Sequence, residues 1–307
     1  MDDGPLTALE PGAGAATRGR RRRRLVVAGV VALVVVAVAF AAWRLVGGGD
    51  LRRLAAAPDA TIAARTAHVA VAGTVEGVPV VGPFTLAVAE GEVDFAAQRA
   101  LLRREVPGAS VPLLRRLLPE PVQLLHDRGD TYVRLPVGGR EAWVRVGDAD
   151  DPAGPGTAAP GLTNPVAALG LLRALEGMPE ALGEESVRGQ PSTRFRVTVD
   201  LDRAAEALSG WAEDVARGLR RLRGRGDLPL DVWLDAGNRV TRLRYTIQPD
   251  RALTGGIGVT LVTDVELHAF GAGVDIVAPR ADELVTVPAG RLRELDPFAR
   301  LGELFER

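Results

Sequence analysis

The chain has 307 residues, 38 basic and 39 acidic side chains, and a formal net charge of −1. It contains no cysteine, which excludes a disulfide framework, a thiolate metal site and a lipid-modified cysteine anchor. Every basic residue is an arginine, and the near-neutral balance argues against nucleic acid as a partner, because neutralising phosphates needs positive charge clustered on a folded face.

One basic cluster stands near the start, Arg18 and the run Arg20 to Arg24. Alone it would read as a nucleic-acid tag, but the apolar segment directly behind it decides otherwise. Leu25 to Trp43, LVVAGVVALVVVAVAFAAW, carries no charge, and as a helix it would span roughly 28 Å, close to the hydrocarbon core of a bilayer. The arginines crowd its N-terminal side, so the N-terminus is expected in the cytoplasm and the remainder outside the cell membrane. A cleaved signal peptide, with Ala39-Phe40-Ala41 as its site, is the competing reading. The apolar run is longer than the usual signal core, and a single-pass anchor fits better. The expected organisation is a disordered basic tail over 1–24, a transmembrane helix over 25–46, a linker over 47–59, a folded domain over 60–288 and an amphipathic helix over 289–307. The exported part is mildly acidic, which leaves no charge-driven adhesion to an anionic membrane surface.

Beyond the linker, apolar and polar residues alternate, the mark of strands with one dry and one wet face. Val69, Val71, Gly73 and Val75 share a face. Phe84, Leu86 and Val88 share another, and GEVDF (91–95) continues it. QRALLRREV (98–106), VQLLHD (122–127), TYVRL (131–135) and AWVRV (142–146) come next, with short helical pieces expected near 51–57 and 111–118. GDADDPAGPGTAAPGLT (147–163) is too long and Pro/Gly-rich for a plain connection and reads as a lid or a disordered insert. Asn164-Pro165 starts a helix, and VAALGLLRALEGM behind it is apolar nearly all round, so this helix should be deeply buried.

STRFRVTVDL (192–201) is again a strand. A long amphipathic helix is expected over 203–222, with Leu208, Trp211, Val215, Leu219 and Leu222 as its stripe. LPLDVWLDAGNRVTRLRYTI (228–247) reads as a hairpin around Ala236-Gly237-Asn238, and IGVTLVTDVELHAF (257–270) as the last strand. About ten strands joined by short turns imply an antiparallel sheet in an α+β fold. In the C-terminal LDPFARLGELFER, Phe298, Leu301, Leu304 and Phe305 form a stripe that docks on its own domain or contacts a partner or membrane.

No catalytic apparatus is visible. His68 and His268 fall on the polar parity of their strands. His126 shares parity with Val122 and Leu124, but a lone histidine is no metal site. Asp148 to Asp151, DADD, lacks the spacing of a calcium loop. Ser110, Ser186, Ser192 and Ser209 sit in no nucleophile elbow. GGIG (255–258) leads into a strand, so it cradles no phosphate. No catalytic residue, cofactor or metal is expected, and the chain reads as a non-enzyme.

In their order and spacing, GEVDF (91–95), GDTYVRLP (129–136), REAWVRV (140–146), NPVAALGLLRAL (164–175), VRGQPSTRFRVTVDL (187–201) and LPLDVWLDAGNRVTRLR (228–244) resemble the LolA-like lipoproteins of the LppX/LprG group of actinobacterial cell envelopes. The resemblance implies a curved antiparallel half-barrel with helices packed on its concave face, enclosing an apolar cavity for the acyl chains of lipids or lipoglycans. Its best-known members are anchored by a lipidated cysteine; here the transmembrane segment would stand in. With aromatics at 4% of the chain, an aliphatic lining suits alkyl chains better than sugars, which favour aromatic platforms.

Parity then selects the candidate lining. The strands contribute Val71, Leu86, Val88, Val133, Val197, Val199, Val232, Leu234, Leu243, Tyr245, Val259 and Leu261. The helices contribute Leu169, Leu172, Trp211, Val215 and Leu219. The expected function is a membrane-tethered, extracytoplasmic lipid-binding module. A second reading makes the same fold an envelope sensor or scaffold that binds a protein partner, as regulators of anti-sigma factors do.

Overall fold

The alternation in TAHVAVAGTVE folds as β1 (Thr66–Glu76), in which every second residue from Ala67 to Val75 is buried. In this computed structural model the described residues are 49–78, 82–105, 122–128, 130–145, 165–208, 211–223, 226–251, 256 and 258–286. The expected basic tail over 1–24, transmembrane helix over 25–46, helical piece near 111–118, lid or insert over 147–163 and helix over 289–307 lie outside the described residues. Among the described residues no helix is long and apolar enough to cross a membrane. The chain divides into two compact units, Met1–Gly49 and Asp50–Arg307, and the second carries the sheet.

Eleven further strands come after β1: β2 (Phe84–Asp94), β3 (Arg99–Glu105), β4 (Val122–Asp127), β5 (Asp130–Val137), β6 (Arg140–Arg145), β7 (Leu175–Val187), β8 (Gln190–Asp200), β9 (Asp227–Leu234), β10 (Val240–Ile247), β11 (Thr260–His268) and β12 (Leu284–Val285). They form one open sheet in the order β12-β6-β5-β4-β3-β2-β1-β11-β10-β9-β8-β7. Short hairpins link most sequence neighbours, so the pairings are antiparallel; only β12, which returns from across the sheet, runs parallel to its neighbour β6. At Gly91 of β2 a Cβ would sit 1.9 Å from the carbonyl oxygen of Leu101, so only glycine lets β3 pass there. In the β9–β10 turn Asn238 takes a left-handed conformation (φ 62°), a geometry asparagine tolerates, and its N–H donates to the Asp235 carbonyl.

The helices are α1 (49–62), α2 (Pro165–Gly170) with a 3₁₀ turn (Leu171–Ala174) behind it, α3 (Leu201–Ala207) and α4 (Trp211–Arg223). Asp200 caps α3, its carboxylate accepting from the N–H groups of Asp202 and Arg203 at 3.0 Å.

Four expectations need correction. The sheet has twelve strands where about ten were expected. The additions are β7, an edge strand exposed on both faces and so without alternation, and β12, only two residues long. The linker over 47–59 is mostly helix: the helical piece expected near 51–57 forms and is longer than expected, 49–62, with Leu54 and Ala57 fully buried. The helix over 203–222 is two helices, because Leu208 is extended (ψ 165°) and Ser209-Gly210 are poor helix formers. The helix after Pro165 stops at Ala174, where Leu175 turns extended and begins β7.

Candidate functional site

Inward parity gives the sheet a continuous apolar inner face. It runs through Leu135 and Val133 of β5, Leu124 of β4, Leu102 of β3, Val69 and Val71 of β1, Leu267 and Val265 of β11, and on to Val232 and Val197 of β9 and β8, all under 10% exposed. The helices gather at the β8–β10 end of this face. The Arg53 guanidinium of α1 lies 5.4 Å from the Phe195 ring, and Asn238 donates to the Arg53 carbonyl at 2.7 Å. Thr61 accepts from the Val240 N–H at 2.9 Å and donates to the Ala57 carbonyl at 2.7 Å. The 3₁₀ turn packs on β8, and α4 packs on β10. At that end Leu54, Leu171, Leu172, Val215 and Leu219 fill the interior.

Of the candidate lining, Val71, Val133, Leu169, Leu172, Val197, Val199, Val215, Leu219, Val232, Leu234, Leu243 and Tyr245 all fall in this one buried cluster. Leu261 packs against it half-buried, and Val259 is buried outside it. Val88 does not belong. The pairing steps from Gly73↔Ala87 to Thr74↔Thr85, so β2 carries an extra residue at Leu86 and its parity flips. Val88 is therefore half-buried on the face of Glu90 and Glu92, while Ala89 and Val93 point inward. The side chains of Leu86 and Trp211 lie outside the described residues.

Few polar groups enter this interior. His126, fully buried, shares a 3.0 Å hydrogen bond with Thr131 through Nδ1, and burial lowers its pKa to about 3, so it is neutral. Tyr245 is 2% exposed, and burial pushes its pKa well above the usual value. Thr263 faces Tyr245 across the β10–β11 ladder, and Gly73 faces Thr263 across β11–β1. The sequence placed Tyr245 and Gly73 inward but passed over Thr263, although it shares the parity of Leu261 and Val265.

The outer face is charged and self-neutralised. Arg194 bonds Glu185 and Asp231, Arg196 bonds Asp231, and Arg242 bonds Asp264. Trp233 stands among them and donates its indole N–H to Glu185 at 2.9 Å. His68 and His268 take the outward positions expected of them and meet ring to ring at 5.6 Å. A cleft of about 240 Å³ between Arg103, Gln123, Arg134 and Glu141 also opens outward, and its charged walls suit water. Among the described residues no cluster of three or more potential ligands could hold a metal ion. Among the described residues the polar side chains of this interior are the Tyr245 phenol, the Thr61, Thr131 and Thr263 hydroxyls and the neutral His126 imidazole, the last bonded to Thr131.

No family model matches the chain, and no curated protein does. Solved structures are similar to it. The lipoprotein LppX of Mycobacterium tuberculosis is 15% identical, with 74% of this chain and 97% of that chain covered and a TM-score of 0.45. LprF of Mycobacterium bovis is 18% identical, with 75% and 96% covered and a TM-score of 0.42. A LolA-superfamily protein of Nitrosomonas europaea is 12% identical, with 71% and 91% covered and a TM-score of 0.30. These neighbours carry the names to which the sequence motifs led: LppX and the LolA superfamily.

Proposed function

We propose that this chain is an extracytoplasmic lipid-binding module, tethered to the cell membrane through residues 25–46, that holds acyl chains against the inner face of its sheet without catalysing a reaction. One observation carries the reading. The aliphatic inner face continues through β1 and β3–β6, away from the β8–β10 end where the described helices pack. Val69, Val71, Ala100, Leu102, Leu124 and Val133 there are buried side chains, branched or small and without charge, an interior matched in chemistry to methylene chains.

The energetics assign the module an exchange role. Moving a sixteen-carbon chain from water onto such a face is worth about 12 kcal/mol, at about 0.8 per CH₂. Moving it from a bilayer is worth almost nothing, because the bilayer is equally apolar. A carrier of this kind exchanges lipid with membranes near equilibrium, and direction comes from a partner or from consumption at the destination. A tether to the outer leaflet keeps it where loading takes place.

Residues 50–307, produced in the native host and examined by native mass spectrometry, should carry one or a few co-purifying species of lipid mass, released by organic extraction. Recovery of bare protein alone in repeated preparations overturns the reading.

A further inference from the structure

We propose that His68 and His268 chelate one divalent transition-metal ion of the zinc type on the outer face of the sheet, clipping β1 to β11. This metal site is independent of whatever the inner face holds. The chain has three histidines, and two of them stand directly opposite each other across the β1–β11 ladder. Both are half-buried, and their rings meet edge to face, with centroids 5.6 Å apart and 64° between the planes. Among the described residues neither imidazole makes a hydrogen bond, and none of their ring nitrogens is sealed from solvent. Two imidazoles that share a zinc ion tetrahedrally, at a Zn–N distance of about 2.1 Å, have ring centroids roughly 5 Å apart. The pair therefore needs only a small adjustment to close on one ion.

The surroundings suit a dication. Glu92 of β2 pairs with His68, so His268, His68 and Glu92 form one row across three strands. In the next outward row Ala70 stands between Glu266 and Glu90. The nearby cations are already engaged: Arg188 bonds Glu266 at 2.7 Å, and Arg242, 3.9 Å from Glu266, is held by Asp264. Setting Glu90, Glu92 and Glu266 against Arg188 leaves two negative charges around the pair of rings, and a divalent ion cancels them. Burial, and then Arg188, lower the pKa of His268 below its ordinary 6.5, so at neutral pH its ring is uncharged and able to ligate. Imidazole nitrogen selects zinc, copper and nickel over magnesium and calcium, which prefer oxygen. The described residues offer no cluster of three ligands, so water completes the coordination and the carboxylates act as counter-charge.

The test uses the full chain in an alkyl maltoside at neutral pH, without a polyhistidine tag or chelating buffer, titrated with zinc chloride by calorimetry. The unsubstituted protein should bind zinc and unfold at a higher temperature with it than without it. His68→Gln and His268→Gln should each weaken the binding by more than about tenfold, since disturbing even a ligand's supporting shell costs that much. Both should also lose the thermal shift, and Glu92→Gln, which keeps both ligands, should weaken binding by a smaller factor. Without zinc the histidine variants should melt with the unsubstituted protein, which reports an intact sheet. A second readout needs no variant: in the unsubstituted protein zinc should move the imidazole resonances of His68 and His268 together and leave those of buried His126 in place. Absence of zinc binding overturns the site, as does binding that survives either histidine substitution or leaves either resonance unmoved. Equal stabilisation by calcium chloride overturns it too, because the carboxylates alone would then hold the ion.

Discussion

Arg194 stands 4.9 Å over the indole ring of Trp233, and Arg242 covers the same ring at 4.9 Å from the neighbouring strand. The register makes this geometry: Arg194, Trp233 and Arg242 occupy one row across β8, β9 and β10. Cation–π attraction and the anchoring carboxylates Glu185, Asp231 and Asp264 hold the stack on an outward face, where Trp233 is nonetheless only 2% exposed. Trp233→Ala is expected to cost about 3–5 kcal/mol in urea unfolding, the range for emptying a large buried site. Trp233→Phe should recover most of it, because a ring remains between the guanidinium groups and only the indole N–H bond to Glu185 is lost.

This row also shows how far the sequence could be read. Alternation placed Val197, Val232, Leu243 and Val265 inward and the arginines outward because uninterrupted antiparallel strands keep their parity. Parity fails where one residue is added. The bulge at Leu86 turned Val88 to the outer face, and no composition signal marks it. A second irregularity near Thr241 lets that polar residue be buried beside Val240, where it bonds Ser192 at 2.9 Å. Edge strand β7 was missed because water on both sides removes the reason to alternate. The break between α3 and α4 was legible in Ser209-Gly210 but was overruled by a stripe that continues through it. Tyr245 is recognisable as inward from parity, whereas its neighbour Thr263 depends on the β10–β11 register.

Thr61 ties α1 to the sheet through both faces of its hydroxyl, and it is 0% exposed. Thr61→Val keeps the shape but leaves the Val240 N–H unpaired in the core. A loss of about 1–3 kcal/mol is expected on denaturation, with faster amide exchange at Val240. Thr61→Ser restores both bonds and should return most of the stability. Equal stability of Thr61→Val and the unsubstituted protein would refute the tie.

Stability should fall as the medium is made acidic, in two stages. His126 takes up a proton near 6.5 in the unfolded chain but only near about 3 in the fold. Between those values the unfolded state binds the extra proton, so lowering pH costs about 1.4 kcal/mol per unit from this group alone. The carboxylates act lower down. Burial tends to raise Asp231, but hydrogen bonds from Arg194 and Arg196 outweigh it and hold the group below its ordinary 3.8. Glu185 is held below 4.5, first by the Trp233 N–H and then by Arg194. Their contributions are complete above those ordinary values and vanish as pH drops through the lowered ones. Urea midpoints measured between about pH 6.5 and 4.5 should decline for the unsubstituted protein. They should decline less steeply for His126→Phe, the remaining slope coming from His268, whose pKa burial and then Arg188 also lower, and a decline of equal slope in the variant would rule His126 out.

After β11 the chain does not turn back but crosses to the far edge of the sheet. Gly271 donates to the Thr66 carbonyl at 2.9 Å, and the Thr66 hydroxyl donates to Ala272 at 2.6 Å. The Asp275 N–H then reaches the outward carboxylate of Glu92, and by Leu284 the chain pairs with Trp143 of β6. It has therefore passed β3, β4 and β5 on the side Glu92 presents. On that side Glu92, Leu101, Leu125 and Tyr132 form one row, and Leu125, although outward by parity, is 0% exposed. A strap held by Glu92 at one end and by β6 at the other is the expected cover of Leu125. Leu125→Ala should cost about 2–5 kcal/mol. Thr66→Val should cost much less but speed amide exchange across 271–283, leaving β8–β11 unchanged. Exchange that rises equally in β8–β11 would show that Thr66 supports the sheet as a whole and that the strap has no separate hold.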